Sequence, residues 1–363
     1  MADLGFSPNI NCISGNNGEG KTNLLDAIYY LSMTKSAFST SDKFNYRYGT
    51  DDFSLAGTYR MGNGLSSRVS IHLDNTGKKS LKRDEKAYDK ISDHIGEFPV
   101  VMVSPSDISL VSDSGEERRR FMNSVLSQMD RTYLADMQQY NRLLAQRNKM
   151  LKQEKVDEGL LEVFDGRMSV LADRIYHFRN DFVTRLGPVV SQYYNVLSGG
   201  MEEVSITYES DIQKGDLESV LRACRKKDLL LRYTSAGVQR DDLLFNMNGY
   251  PIRRCGSQGQ QKSFLVSLKF AQYEIMKQSY GFAPILLLDD VFDKLDMNRI
   301  SNLLEMVAGQ EFGQIFITDS NKIRMANIVD AITEDRAYFV TSGGTFTQED
   351  LAEAPAASEE KEE

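Results

Sequence analysis

Eight consecutive residues, Gly15-Asn16-Asn17-Gly18-Glu19-Gly20-Lys21-Thr22, complete the pattern G-x-x-x-x-G-K-[ST]. Glycines here let successive backbone N–H groups turn inward around phosphate oxygens. Lys21 adds a mobile charge for β- and γ-phosphates, and the Thr22 hydroxyl can ligate Mg²⁺. The chemistry is binding of a nucleoside triphosphate with its magnesium ion. Far down the chain, Ile285-Leu286-Leu287-Leu288 is an apolar run of the kind a strand buried on both faces carries, and it ends in Asp289-Asp290. Open parallel sheets bind ligands outside the carboxyl ends of their strands. Asp289 is therefore expected to face the same Mg²⁺ as Thr22, and Asp290 to orient or deprotonate an attacking water. Some thirty residues earlier, Ser257-Gln258-Gly259-Gln260 opens a helix whose N–H groups and dipole would suit a phosphate, although an ordinary serine N-cap reads the same in isolation.

These groups need particular elements to hold them. Ile10 to Ser14 reads as a strand entering the phosphate loop, and Leu24, Leu25, Ile28 and Leu31 recur at helical spacing after it. Phe264, Leu265, Leu268, Phe270 and Ala271 continue Ser257 into an amphipathic helix, and Gln314 to Asp319 is expected to be the final strand, closing the sheet beside the site. Between the two halves, Phe121, Val125, Leu126, Met129, Leu134, Met137, Leu143, Leu144 and Met150 leave a charged opposite face. After a polar break at Gln153 to Gly159, Leu161, Phe164, Met168, Leu171, Ile175, Phe178 and Phe182 repeat that pattern, which predicts two antiparallel helical arms packed on each other.

The chain of 363 residues with 41% hydrophobic content suffices for two lobes. No apolar stretch is long enough to span a bilayer and no basic-then-apolar leader opens the chain, so a soluble, cytoplasmic protein is expected. Cys12, Cys224 and Cys255 are far apart and odd in number, a spacing that suits neither zinc nor a disulfide. The net charge of -9 comes partly from an acidic, alanine-rich segment over 348–363, expected to be a disordered tail. Basic clusters at Arg118-Arg119-Arg120, at Arg142, Arg147, Lys149 and Lys152, at Arg225-Lys226-Lys227 and at Arg253-Arg254 could touch nucleic-acid phosphates if the fold gathers them, or could be solvated faces with local ion pairs.

The order of phosphate loop, Ser-x-Gly-Gln helix, buried strand with Asp and then Leu295-Asp296 is similar to that of ABC-type ATPases. In that class Ser257, Gly259 and Gln260 would contact the γ-phosphate held by a partner subunit, which implies an ATP-sandwiched homodimer. Further elements resemble the RecF family of bacterial DNA replication and repair proteins, relatives of the SMC ATPases. They are Asn23-Leu24-Leu25-Asp26-Ala27, Pro105-Ser106-Asp107, Glu117-Arg118-Arg119-Arg120-Phe121 and Arg240-Asp241-Asp242.

The resemblance implies an α/β fold: an ABC-type P-loop ATPase head built from both chain halves (1–112 and 235–347) with an inserted, mainly helical arm domain (113–234). It implies ATP-dependent dimerisation, slow hydrolysis, binding to double-stranded and single-stranded DNA at gaps or junctions, and cooperation with RecR, and through RecO with loading of RecA. Lys21 and Thr22 would hold phosphate and magnesium, Asp289 magnesium, and Asp290 the place where many ABC ATPases carry a glutamate base. Its shorter side chain suits a switch more than a motor. Of two departures, the first is expected to bear on stability and ATP affinity, and the second is mild because Gln239 can still hydrogen-bond. Family members usually carry a longer N-terminal segment with a first strand and a basic-aromatic turn. They also more often show Gly-Pro-His-Arg where this chain has Gly237-Val238-Gln239-Arg240. Another SMC-like chromosome ATPase, or an ABC-type ATPase with no DNA role, are the alternatives. DNA-stimulated hydrolysis would separate the latter.

Overall fold

The computed structural model describes residues 2–47, 49–291, 312–330 and 333–349. Numbered along the chain, strand β1 (Ile10–Ser14) leads into helix α1 (Lys21–Met33), followed by β2 (Phe53–Arg60), β3 (Ser66–Leu73), β4 (Lys79–Arg83) and the two-residue β5 (Lys86–Ala87). Strand β6 (Val100–Val103) precedes α2 (Ser109–Ser112), α3 (Gly115–Met129), α4 (Arg131–Met150) and the long α5 (Glu158–Ser198). Then come β7 (Val204–Glu209), α6 (Leu217–Leu231), β8 (Asp242–Met247), β9 (Tyr250–Pro251), α7 (Ile252–Cys255) and α8 (Gln258–Tyr280). The last elements are β10 (Ile285–Asp289), β11 (Ile315–Asp319), α9 (Lys322–Asp330), β12 (Arg336–Ser342) and β13 (Thr345–Glu349).

The chain forms two compact units. The first holds the described residues within Met1–Glu85, Val100–Pro105 and Ala283–Glu363. Its six-stranded sheet runs β13-β12-β1-β11-β10-β6, parallel throughout except for the β12–β13 pair. Parallel strands covered on both faces must be apolar throughout, and Leu286 to Leu288 and Ile315 to Ile317 are all buried accordingly. Helix α1 packs on β6, β10 and β11, with Leu25 and Ile28 joining Met102, Leu287, Phe316 and Phe339 in one core. It also packs against β2 and β3, so α1 joins the parallel sheet to the antiparallel strands β2, β3 and β4. Strand β11 does not close the sheet as expected. It lies between β1 and β10, and β12 and β13 extend the sheet beyond β1. Gly343 and Gly344, at φ 57° and 77°, make the tight β12–β13 turn that only left-handed residues allow. Gln348 and Glu349 are therefore strand residues, not tail; 350–363 lie outside the described residues.

Cys12 sits in β1 with no exposed surface, and burial pushes its thiol up to about 12, whereas Cys255 is exposed. Since the thiolate is the reactive form, iodoacetamide at pH 8 should alkylate Cys255 and leave Cys12 intact until the protein is unfolded, as peptide mass spectrometry would read directly. Alkylation of native Cys12 would contradict this packing.

The second unit holds Lys86–Pro99 and Ser106–Phe282. This division cuts the chain elsewhere than at 112 and 234, because α8 runs along α5, with Phe264 against Tyr194 and Phe270 against Tyr193, and β8 pairs with β7. The first expected arm is two helices. Asp130 breaks it by accepting from the backbone N–H groups of Thr132 (2.7 Å) and Tyr133 (3.0 Å), which starts α4 afresh. Helix α8 is not amphipathic over its middle, where every residue from Ser263 to Tyr273 is buried.

Of the arginines in the basic clusters named above, Arg118 and Arg147 are buried, Arg119 is half-buried and Arg120 is exposed. Arg118 forks onto Asp242 (2.7 and 3.0 Å) and also donates to the Leu110 and Asp113 carbonyls. Arg119 donates to the Asp241 carbonyl, Arg147 is buried against Asp165 and Asp228, and Arg120 pairs with Glu116 and Glu117. Arg142, Lys149, Lys152, Lys226, Lys227, Arg253 and Arg254 remain exposed. Among the described residues no helix is long and apolar enough to cross a membrane.

Candidate nucleotide site

Residues 15–20 form the loop between β1 and α1, and its backbone demands glycine. Gly20 caps α1 at φ 99°, and at Gly15 (φ 155°) an added Cβ would stand 2.5 Å from the Thr341 methyl and 2.6 Å from the Thr341 carbonyl oxygen. Thr341 Oγ1 in turn donates to the Glu19 carbonyl at 2.7 Å, so the end of β12 clamps the loop from one side. Within the loop, Glu19 accepts from the Asn16 backbone N–H at 3.0 Å. Asn17 and Gly18 lie at its exposed crown. Lys21 is only 4% exposed, and its Nζ donates to the carbonyls of Gly15 (2.7 Å) and Asn16 (3.1 Å) and to Asn17 Oδ1 (3.5 Å). A cation fixed along the rim of a nest of N–H groups makes a concave, positively polarised seat for an anion.

Thr22 and Asp289, 267 positions apart, meet: Thr22 Oγ1 donates to Asp289 Oδ2 at 2.9 Å and lies 3.1 Å from Oδ1. Their encounter follows from topology, since α1 crosses β10 at the carboxyl end of the parallel strands. A hydroxyl and a carboxylate side by side are hard oxygen donors that fit Mg²⁺, an ion that typically takes one or two protein oxygens and completes its shell with water and phosphate. Asp289 is held from a second direction by Thr318, the residue opposite it in β11. Thr318 Oγ1 donates to Asp289 Oδ1 at 2.7 Å and accepts the backbone N–H of Asp290 at 3.0 Å, with Asp290 in the left-handed region at φ 45°. Beside Thr22 opens a cavity of about 440 Å³ lined by Asn23, Asp26, Ser36, Ser39 and Thr40 among others. Burial raises the Asp26 carboxyl, whose oxygens accept from Ser36 Oγ and the Ala37 N–H, each at 2.7 Å.

Ser257, Gly259 and Gln260 lie in the second unit, at the start of α8. Ser257 is exposed and forms a capping box: its Oγ accepts from the Gln260 N–H (3.3 Å) while Gln260 Oε1 accepts from the Ser257 N–H (2.7 Å). Gln260 Nε2 also donates to Glu202 at 2.5 Å, which fixes the first turn. Leu295 and Asp296 lie outside the described residues. Gln239, at the departure from Gly-Pro-His-Arg, is half-buried and accepts from Tyr140 OH at 2.6 Å. Thr318 and Thr341 were not singled out in the sequence. Thr318 was legible only as the end of an apolar run, and Thr341 lies in a strand that Tyr338-Phe339-Val340 could have announced.

Residues 1–337 match the family described as the RecF/RecN/SMC N terminal domain. The chain is 44% identical to a DNA replication and repair protein RecF of Porphyromonas gingivalis over 351 residues, covering 96% of each chain. It is 41% identical to the protein of that name from Flavobacterium johnsoniae, covering 93% of this chain and 95% of the other. Among solved structures, the recombination mediator protein RecF with ATP, of the RecFOR pathway, superposes with a TM-score of 0.85 at 29% identity, covering 96% of this chain and 93% of that one. An SMC head bound to the C-terminal winged-helix domain of ScpA superposes at 0.54 with 13% identity, a likeness of fold alone.

Proposed function

The chain belongs to the RecF family of DNA replication and repair proteins, and from that premise we propose that it is an ATP-switched DNA-binding protein of recombinational repair. ATP·Mg²⁺ occupies the phosphate loop of the first unit, with Lys21 on the β- and γ-phosphates and Thr22 and Asp289 on the magnesium. The bound ion would neutralise phosphate charge and polarise the γ-phosphoryl group. Asp290, held by its backbone at the end of β10, orients the attacking water, and hydrolysis is slow. The capped start of α8, with Ser257, Gly259 and Gln260, is exposed and pre-shaped to meet the γ-phosphate of a second copy, so ATP closes a homodimer. Asp296 contributes to nucleotide binding. The closed dimer binds duplex DNA at single-strand gaps or junctions on the nucleoid and acts with RecR, and through RecO on RecA loading.

The observation that carries this reading is the Thr22–Asp289 pair beside the loop. It brings together the oxygen donors that a nucleotide-bound magnesium needs, from two ends of the chain. Fluorescence anisotropy of a labelled gapped duplex, titrated with and without ATP·Mg²⁺, tests it. Binding tightened by ATP is expected, and affinity indifferent to nucleotide would refute the switch.

A further inference from the structure

The strands β2, β3 and β4 show two unlike faces. Val69, Ile71, Leu73 and Leu81 are buried toward the core, and the alternate residues face solvent. From the register, Arg60 stands opposite Ser66, Thr58 opposite Arg68, Ser54 opposite His72, and Ser70 opposite Lys82. Apart from Ala56 the outer positions are therefore cations, one histidine, and hydroxyls, with no carboxylate among them, in a chain with 52 acidic and 43 basic residues.

The same register places the three permanent cations in a line. Arg68 lies two residues diagonally from Arg60 across β2 and β3, and Lys82 two residues diagonally from Arg68 across β3 and β4, each step spanning about 7–8 Å. Opposite charges across strands stabilise a sheet and a row of like charges does not, so the arrangement is not explained by what stabilises the sheet. Asp84, just beyond β4, accepts with one oxygen from the Arg68 backbone N–H (2.7 Å) and with the other from Ser67 Oγ (3.0 Å). A straight row of cations flanked by hydroxyl donors complements a linear polyanion whose oxygens accept hydrogen bonds.

We infer that the outer face of β2, β3 and β4 is a docking surface for the phosphate backbone of duplex DNA, with Arg60, Arg68 and Lys82 following one strand. The inference rests on the DNA-binding reading above and gives it a location in the first unit, which holds none of the basic clusters named from the sequence. The same sheet packs its inner face on α1, the helix that begins at Lys21, so the DNA-facing surface and the phosphate loop share one element.

The test compares full-length wild type with Arg60→Gln/Arg68→Gln/Lys82→Gln by anisotropy on a 30-base-pair duplex with ATP·Mg²⁺, across a series of salt concentrations. The variant should bind at least about tenfold more weakly near 0.1 M salt. Its slope of log K against log[salt] should be shallower by about 2.7, from about 0.9 per lost phosphate contact. ATP affinity and melting temperature, measured on the same samples, should stay as in wild type, because all three side chains are solvent-facing. A complementary variant, Ala56→Lys, adds a cation to the same face and should steepen the slope by about 0.9. Unchanged affinity and slope in both variants, with wild type binding normally, would overturn the inference alone. A loss confined to single-stranded oligonucleotides would overturn the duplex as occupant, and failure of wild type to bind any DNA would overturn the DNA-binding reading itself.

Discussion

Replacing Lys21 with methionine is expected to lower ATP affinity by about 10- to 100-fold, the effect of losing a charge-assisted hydrogen bond of about 1.5–3 kcal/mol, and to remove nucleotide dependence from DNA binding. Methionine keeps the length and much of the volume of the side chain, so the substitution tests the charge. Lys21 also stitches the loop, since its ammonium donates to the carbonyls of Gly15 and Asn16. Removing those donors leaves the carbonyls facing a buried methyl group, which adds to the loss. Isothermal titration with ATP·Mg²⁺, alongside a thermal melt of the same protein, separates lost affinity from lost fold. Asp289→Asn should weaken binding only when magnesium is present, because it changes the cation's ligand and leaves the phosphate seat intact. Equal nucleotide affinity in wild type and Lys21→Met would refute the assignment of the loop.

The largest stability effect should come from Arg179, far from that site. It is 1% exposed, and its guanidinium donates to Tyr133 OH (3.1 Å), the Val238 carbonyl (2.7 Å), Asp241 Oδ2 (2.5 Å) and Asn123 Oδ1 (3.0 Å). Asp241 is equally buried and also accepts from Tyr208 OH. Arg179→Met strands that carboxylate in the interior and should cost about 3–5 kcal/mol, or roughly 6–20 °C in melting temperature for a unit of this size. Burial pushes the Asp241 carboxyl up, and Arg179 opposes that rise. Without the arginine the folded state binds the proton more tightly still. A folded-state pKa raised above the unfolded value adds stability at low pH that is lost as pH rises through it. The gap in melting temperature between variant and wild type should therefore be narrower at pH 5 than at pH 8. A gap of under 1 °C at pH 8, or one that widens on acidification, would show that the pair does not hold the second unit together.

These two predictions fall on residues with opposite legibility. Gly15 to Thr22 were readable because a phosphate loop is local: its glycines, lysine and hydroxyl act through backbone geometry within eight positions. The buried strand ending in Asp289 was readable for a similar reason, since an uninterrupted apolar run meets the needs of a strand covered on both sides. Arg118 and Arg179 looked like any other basic residues, because a charge in a sequence does not say whether its partner is a phosphate in solvent or an aspartate more than sixty positions away. Arg118 pairs with Asp242 and Arg179 with Asp241, so the Arg240-Asp241-Asp242 element is the interior anchor of the second unit. Strands β12 and β13 are harder to read because the apolar run of β12, Ala337 to Val340, is brief and flanked by Arg336 and Thr341, and the Gly343-Gly344 turn is the clearest mark of the hairpin.

What the amino-acid order determined by itself, then, was local: a phosphate-loop pattern, a carboxylate at a strand end, a capped helix at Ser257 and a helical insertion. Only the tertiary structure decided which distant groups share a site. Thr22 reaches Asp289 because β1 and β10 flank β11 in one parallel sheet, Thr318 locks Asp289 because it is its register partner, and Arg60, Arg68 and Lys82 form a line because three antiparallel strands fix their offset. Strand order and register arise from burying apolar surface across the whole chain, and that information is spread over hundreds of positions, none of which carries it alone.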